Sequence, residues 1–336
     1  MSLPPSEVPQ GAIRFNTDSQ RLEFYAQGEW WVMSTDTPNL GTSGDSTPGP
    51  RGLFMGNNPG TDMVQMINIS STGDAADFAN LSSNRGNAAG CGSRTRAFAM
   101  GIEDGAGAGA TIDTMVFASS ATGTDFGDLG TGVRGAAGAS NSTRGLCMGG
   151  YPATNKVQAL TMASTGTVED FGTLTSNRFH PGLSAPSDST RAVFGGGEVP
   201  GVTNSIEYVT IATNSGGTDF GDLSFETTQP GAVGDRTRAI ICGGRSPSTP
   251  VNTCEYVTIQ TTGNATNFGD LTDIRGQQAT VSSSTRGVSA GGWEPNTVQQ
   301  NIDYTIIQTQ GNFVNFGDLN TAAREMPGVS NGHGGL

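Results

Sequence analysis

Two groups of residues have types and spacing that could do chemistry. The tripeptide Asp-Phe-Gly, which holds Mg²⁺ in protein kinases, occurs at 125–127, 170–172 and 219–221. Carboxylates also recur at Asp128, Asp222, Asp270 and Asp318, among repeated arginines that would suit acid–base hydrolysis. However, a catalytic site needs unequal groups with separated pKa values, and no kinase lysine or His-Arg-Asp loop accompanies the tripeptide. We therefore expect these residues to be structural, with carboxylates pairing with arginines between strands, and we expect no enzyme activity.

The cysteines and histidines form no metal-binding motif in the sequence. Cys91, Cys147, Cys242 and Cys254 lack the CxxC spacing of zinc and redox sites. His180 and His333 are the only histidines, and no calcium-binding DxDxDG run occurs. We expect buried free thiols, no metal and no cofactor.

Charge and hydropathy exclude several classes of partner. The 17 Lys and Arg against 30 Asp and Glu give a net charge of −13. Nucleic-acid binding needs clustered cations, so we expect none. No apolar run reaches the roughly 18 residues of a membrane span, and residues 1–10 lack the basic and apolar regions of a signal peptide. We expect neither membrane insertion nor standard secretion.

The chain after residue 50 is a repeat. The motif Asp/Asn-Phe-x-x-Leu occurs six times at spacings of 45 to 49 residues. A second landmark, an arginine that opens a short apolar run ending in glycine, also occurs six times. The repeated residues are Arg51, Arg96, Arg144, Arg191, Arg238, Arg286, Phe78, Phe126, Phe171, Phe220, Phe268 and Phe316. Residues 51–336 therefore divide into six units.

Each unit has the pattern of short β-strands. The clearest has strand signals at 191–197, 205–211 and 218–223, after small residues at 182–184. Four short strands in each of six units predict an all-β, six-bladed β-propeller over 51–336, with the small-residue strand innermost. The first unit lacks that strand and 324–330 supplies one, so we predict that the C-terminal strand closes the first blade. A stacked β-solenoid is the alternative.

The repeat resembles the kelch repeat, in which a glycine pair is followed by a tyrosine strand, an aromatic residue and leucine. The matching residues are Gly196, Gly197, Tyr208, Phe220 and Leu223, and again Gly243, Gly244, Tyr256, Phe268, Leu271 and Arg275. The resemblance implies a propeller fold and a binding role, with no catalysis. The loop after the glycine pair differs in every unit, so we expect surface binding there, by Tyr151, Arg245 and Trp293.

Residues 1–50 have a different composition. Residues 1–33 predict a small β-hairpin module with three strands, and 34–50 form a linker rich in Pro, Gly, Ser and Thr. So few strands cannot bury their own aromatic side chains. We therefore expect Phe15, Phe24, Tyr25, Trp30 and Trp31 to dock onto another chain, with packing on the same chain's propeller as the alternative.

The stretch 11–33 resembles a short module at the N-terminal end of tailed-phage virion proteins. The resemblance rests on Gly11, Ile13, Arg14, Phe15, Asn16, Leu22, Glu23, Tyr25, Gly28, Trp30 and Trp31. It implies a structural and binding component of a phage virion, such as a tail fibre, capsid fibre or decoration protein, released by host lysis. Other virion proteins, further copies of the chain and a host-surface glycan are the expected partners. A propeller glycan hydrolase or lectin and an intracellular kelch-type adaptor remain alternatives.

Overall fold

The computed structural model describes residues 8–16, 21–32, 50–103, 107–164, 168–214, 216–246 and 249–336. Over these ranges the chain forms strands and turns with no helix, which confirms the all-β prediction, and hence no helix there could span a membrane. The chain divides into two compact units, Met1–Pro48 and Gly49–Leu336. The predicted linker lies outside the described residues except for Pro50.

The first unit contains one antiparallel sheet of three strands, β1 (Ile13–Asn16), β2 (Arg21–Ala26) and β3 (Glu29–Val32), in that order. Phe24 in the central strand pairs with Ile13 on one side and Trp31 on the other. Because side chains alternate across a sheet, this register places the three on the same face.

The second unit contains six four-stranded antiparallel sheets, which we number in chain order. Sheet 1 comprises β4 (Arg51–Met55), β5 (Thr61–Asn68), β6 (Ala76–Arg85) and β31 (Gly328–Ser330); sheet 2, β7 (Ala89–Gly92), β8 (Arg96–Glu103), β9 (Ala108–Val116) and β10 (Thr124–Asp128); sheet 3, β11 (Ala137–Ser140), β12 (Arg144–Met148), β13 (Lys156–Thr161) and β14 (Glu169–Thr173). Sheet 4 comprises β15 (Arg191–Gly195), β16 (Glu198–Val199), β17 (Gly201–Thr210) and β18 (Gly217–Thr227); sheet 5, β19 (Gly231–Gly234), β20 (Arg238–Cys242), β23 (Thr253–Thr258) and β24 (Thr266–Asp270); sheet 6, β25 (Ala279–Ser282), β26 (Arg286–Ala290), β29 (Asn301–Ile306) and β30 (Val314–Asp318). Two small hairpins form separate two-stranded sheets between the second and third strands of sheets 5 and 6: β21 (Arg245–Ser246) with β22 (Thr249–Pro250), and β27 (Trp293–Glu294) with β28 (Thr297–Val298).

The C-terminal strand belongs to the first sheet. β31 pairs with β4 through Gly328–Phe54, Val329–Leu53 and Ser330–Gly52. It also contacts β7 of sheet 2 and β25 of sheet 6. The edge of sheet 1 is thus completed by residues from the far end of the chain, which join the first and last units.

The fourth unit departs from the predicted strand pattern. Its small residues 182–184 form no strand, and Ser184 makes only an isolated parallel bridge to Gly138. The carbonyl of Leu183 instead accepts hydrogen bonds from the N–H groups of Gly90 and Gly138, at 2.9 and 3.3 Å. Pro181 and Pro186 bracket the segment, and proline cannot donate to a strand ladder. The prediction of an innermost strand is therefore wrong for this unit.

The landmark arginines hold each sheet to the next one. In the neighbouring sheet, a further strand pairs with the one that begins at that sheet's own landmark arginine. The guanidinium groups donate to the backbone carbonyl just after this strand, in the pairs Arg51–Phe117, Arg96–Met162, Arg144–Ile211, Arg191–Ile259, Arg238–Ile307 and Arg286–Ile69. The last pair returns from sheet 6 to sheet 1. For Arg96, Arg144, Arg191, Arg238 and Arg286 the predicted pairing with carboxylates is wrong, because strand-end carbonyls lie within their reach.

Carboxylate pairing occurs instead at three other arginines. Arg85 bonds to Asp113 at 3.1 Å, Arg178 bonds to Glu207 at 2.9 Å, and Arg275 bonds to Asp303. All six side chains are at most 2% exposed. Each arginine lies in or after the last strand of one unit, and its partner lies in the sheet of the next unit.

The repeated phenylalanines form the cores between strands and sheets. Phe126, Phe171, Phe220, Phe268 and Phe316 are all at most 4% exposed. In the last three units each ring packs edge-on against the tyrosine of the preceding strand, at 5.8 to 6.1 Å between centroids. The kelch-like tyrosine and aromatic positions are therefore one packing contact.

Candidate functional site

Six residues with left-handed backbone form a ring at one end of the innermost segments. They are Asn87, Gly135, His180, Gln229, Gln277 and Glu325, with φ between 54° and 64°. Each N–H donates to the carbonyl of the ring residue in the preceding unit, and the N–H of Asn87 donates to Glu325, all at 2.7 to 3.0 Å. The six hydrogen bonds make a closed cycle, which we call the mouth ring.

The mouth ring repeats in its backbone and differs in its side chains. Glu325 is 6% exposed and accepts hydrogen bonds from Asn87 at 2.9 Å, from Gln229 at 3.4 Å and from Asn58. The imidazole of His180 lies over Gly135, where an added Cβ would be 2.3 Å from the imidazole Cδ2. Glycine at that position leaves the space that the histidine fills.

Four isolated β-bridges lie next to the ring residues in the sequence, and their side chains include aromatic, basic and acidic groups. Each bridge joins the residue that directly follows a Gly-Gly sequence to the residue just before a ring residue: Tyr151 to Arg134, Glu198 to Phe179, Arg245 to Thr228, and Trp293 to Gly276. We call these eight residues the mouth band. All three residues predicted for surface binding, Tyr151, Arg245 and Trp293, lie in this band.

The two ends of the mouth band are aromatic and cationic. The Arg134 guanidinium lies 4.8 Å from the Tyr151 ring centroid, and that of Arg245 lies 5.1 Å from the Trp293 ring. Phe179 packs edge-on against Tyr151 at 6.0 Å. Tyr151 remains 45% exposed. Each end therefore offers an aromatic ring whose orientation is fixed by an arginine.

The centre of the mouth band is polar. His180 Nδ1 lies 3.6 Å from Glu198 Oε1, which also accepts a hydrogen bond from Thr228 at 3.0 Å. The contact with His180 and then the hydrogen bond from Thr228 hold the pKa of Glu198 below its usual value, against the opposing effect of burial. Glu198 is consequently a carboxylate at neutral pH. His180, Glu198, Arg134 and Phe179 were not selected from the sequence, since only their bridging across units brings them together.

The N-terminal sheet separates its side chains into a polar face and an apolar face. On the polar face Arg14 pairs with Glu23 at 2.8 Å and stacks on Trp30 at 4.1 Å, while Tyr25 packs against Trp30 at 5.3 Å. Tyr25 is only 3% exposed. Of the five predicted docking residues, Tyr25 and Trp30 thus lie within this face.

The opposite face carries exposed apolar side chains from all three strands. Ile13, Phe15, Leu22, Phe24 and Trp31 are 64%, 58%, 40%, 37% and 48% exposed. They include the other three predicted docking residues. These five residues form what we call the apolar face.

The thiols offer no reactive site. All four cysteines are free and buried. Burial raises the pKa of Cys147 to about 12 and that of Cys91 further still, so neither is a thiolate at neutral pH. The described residues contain no group of three or more His, Cys, Asp or Glu that could hold a metal ion.

Compared with known proteins, the chain matches no protein-family model and no curated sequence.

Proposed function

We propose that the second unit is a closed six-bladed, kelch-like β-propeller whose blades are the six sheets. Two independent cycles support closure. The mouth ring links all six units through backbone hydrogen bonds, and the landmark arginines link the same units near the other ends of the strands, including Arg286 to Ile69 between the last and the first. A stacked solenoid would have no reason to join its two ends.

We propose further that the chain is a structural and binding component of a phage particle. It docks through the N-terminal sheet and displays the propeller toward a host-surface glycan. The observation that carries the docking role is the apolar face, which gathers five large side chains on a sheet too small to be stable alone. The assignment to a virion rests on the resemblance of residues 11–33 to the phage module.

The energy available to the apolar face is adequate for docking. Burying a large apolar side chain stabilises by about 1.5–3 kcal/mol, and each of these five is already partly covered. If each of the five side chains contributes about half of that free energy when it docks, the gross binding free energy is on the order of 5 kcal/mol. Several copies docking together are needed for tight attachment, because ordering costs must be subtracted. A multimeric fibre or decoration protein meets that requirement.

The mouth band supports the glycan-binding role. Sugar sites combine an aromatic surface for the apolar face of a pyranose with a few polar groups that fix its hydroxyls. Tyr151 and Trp293 supply the first, and Glu198 and Thr228 supply the second. Glu198 is the one carboxylate among the eight residues of the band, and the aromatic rings at its two ends favour sugar binding as its role.

Quantitative mass spectrometry of purified particles tests the docking proposal. Particles are produced with the wild-type chain, with Phe15→Ser and Trp31→Ser together, and with the control Ile306→Ser and Val314→Ser, which removes similarly exposed side chains from the propeller. We expect the control at wild-type level and at least a tenfold loss of the N-terminal variant. Normal incorporation of that variant contradicts docking through the apolar face, and absence of the wild-type chain from particles contradicts the virion assignment.

A host-cell adsorption assay tests the glycan proposal separately. Tyr151→Ala together with Trp293→Ala should abolish adsorption of the isolated full chain while leaving incorporation into particles unchanged. Release of reducing sugar from host polysaccharide by the purified chain would instead favour the glycan hydrolase.

A further inference from the structure

A small cavity is lined by five of the six mouth-ring residues. Its wall is formed by the ring side chains and by Gln278, and Leu183 is part of its lining. Gln277 is 9% exposed and Gln278 is 3% exposed, whereas His180 and Gln229 are half-buried. The cavity has room for one group about the size of a water molecule.

The hydrogen bonds of the ring fix the orientation of its amide groups. The carboxylate of Glu325 can only accept, so it faces the Nε2 group of Gln229. The Oε1 of Gln229 then accepts from Nε2 of Gln277 at 3.0 Å. This leaves the Oε1 atom of Gln277 as a buried acceptor, and no described residue donates to it.

Two more acceptors line the same cavity. Gln278 donates its Nε2 group to the carbonyl of Cys242 at 2.8 Å, which fixes its Oε1 as an acceptor. The carboxylate of Glu325 is the other acceptor that borders the cavity. Gln278 Oε1, like Gln277 Oε1, has no hydrogen-bond donor among the described residues. A cavity bordered by two buried amide oxygens without donors and by the Glu325 carboxylate is suited to a cationic donor.

We infer that the cavity binds a primary ammonium group, presented by an unacetylated amino sugar. An ammonium group has three N–H donors for the three acceptors, and its charge is complementary to that of Glu325. A water molecule has two donors and carries no charge to complement that of Glu325. This inference rests on the proposed function: the amino group enters the mouth ring while the remaining sugar residues contact the mouth band.

Isothermal titration of the full chain at neutral pH tests this inference with two probes, a β-1,4-linked glucosamine tetrasaccharide and its fully N-acetylated counterpart. We expect the free amine to bind at least tenfold more tightly, because acetylation removes the charge and two donors. Gln277→Met should weaken binding of the amine about tenfold, the effect of losing one hydrogen bond to a charged group. Glu325→Gln, which keeps the shape of the side chain, should weaken it further.

The control is Gln310→Met, because Gln310 is exposed and lies outside the cavity. Thermal melts of every variant verify that the fold is intact. Equal affinity for the two probes, or unchanged amine binding in Gln277→Met and Glu325→Gln, would overturn the inference. A crystal structure with saturating probe in which only water occupies the cavity would do the same. If adsorption to host cells persists in such a case, the ammonium site fails and the proposed function stands.

Discussion

Closure of the second unit can be tested with a single methyl group. Gly328 lies in β31, where an added Cβ would be 2.1 Å from the carbonyl oxygen of Thr280 and 2.7 Å from its carbonyl carbon. Both atoms belong to the backbone of β25, so no side chain can rotate away, and one of the two strands must move. Overpacking a rigid site costs about 1–3 kcal/mol. We expect Gly328→Ala to reach the upper end of that range, because moving β31 also disturbs buried Val329.

Urea unfolding followed by tryptophan fluorescence measures the effect. Gly201→Ala is the matched control, since its Cβ would meet nothing within 4 Å and its φ lies outside the left-handed region. We expect that control to change the free energy of unfolding by less than about 0.5 kcal/mol. Gly138→Ala is a positive control, because its Cβ would be 2.2 Å from the Gly90 carbonyl oxygen at the contact of sheets 2 and 3.

The result that would refute closure is specific. If Gly138→Ala destabilises the protein and Gly328→Ala does not, neighbouring sheets converge as described but the C-terminal strand does not join the first sheet to the last. If both variants are as stable as the wild type, the inner strands do not approach one another closely anywhere.

Two further predictions concern buried charge. Arg178→Met should destabilise the protein by about 3–5 kcal/mol in urea unfolding, because it leaves the Glu207 carboxylate buried without its partner. Adding Glu207→Gln should recover part of that lost stability. If the double variant shows only the sum of the two single effects, the pairing is contradicted. Burial lowers the pKa of His333 below 6.5, so the unfolded chain takes up a proton first as the pH falls. Stability should therefore decline below about pH 6.5, and His333→Gln should flatten this decline in urea midpoints measured from neutral to mildly acidic pH; an identical pH dependence in the two proteins contradicts it.

Features that every unit shares could be predicted from the sequence. The phenylalanine of the Asp/Asn-Phe-x-x-Leu motif recurs at a constant spacing because it fills the same cavity in every core, and five of the six copies are at most 4% exposed. The strand pattern was predictable for the same reason: alternation of β-branched and small residues is a local property.

Features that depend on contacts between units could not be predicted. A guanidinium can bond to a carboxylate or to a carbonyl with similar geometry, and only the position of the neighbouring strand end decides between them. Arg191 illustrates this, since its partner is the carbonyl of Ile259 in the next sheet at 3.3 Å. Likewise, the sequence ranks Tyr25 and Trp31 alike as aromatic residues, but the register of β2 with β3 places them on opposite faces.

The mouth ring explains why the residues of the proposed binding site lie together. Its hydrogen bonds involve backbone atoms alone, so the fold requires a left-handed conformation at six positions and is indifferent to most of the side chains there. Asparagine and glycine adopt that conformation readily, whereas histidine, glutamine and glutamate do so at a cost of about 1 kcal/mol each. The chain nevertheless carries those costlier residues at four of the six positions. The side chains of Glu325, Gln229 and Gln277 bond to one another, which leaves the Oε1 of Gln277 without a donor among the described residues. The end of the second unit with the most regular backbone is therefore also the one with the most varied side chains.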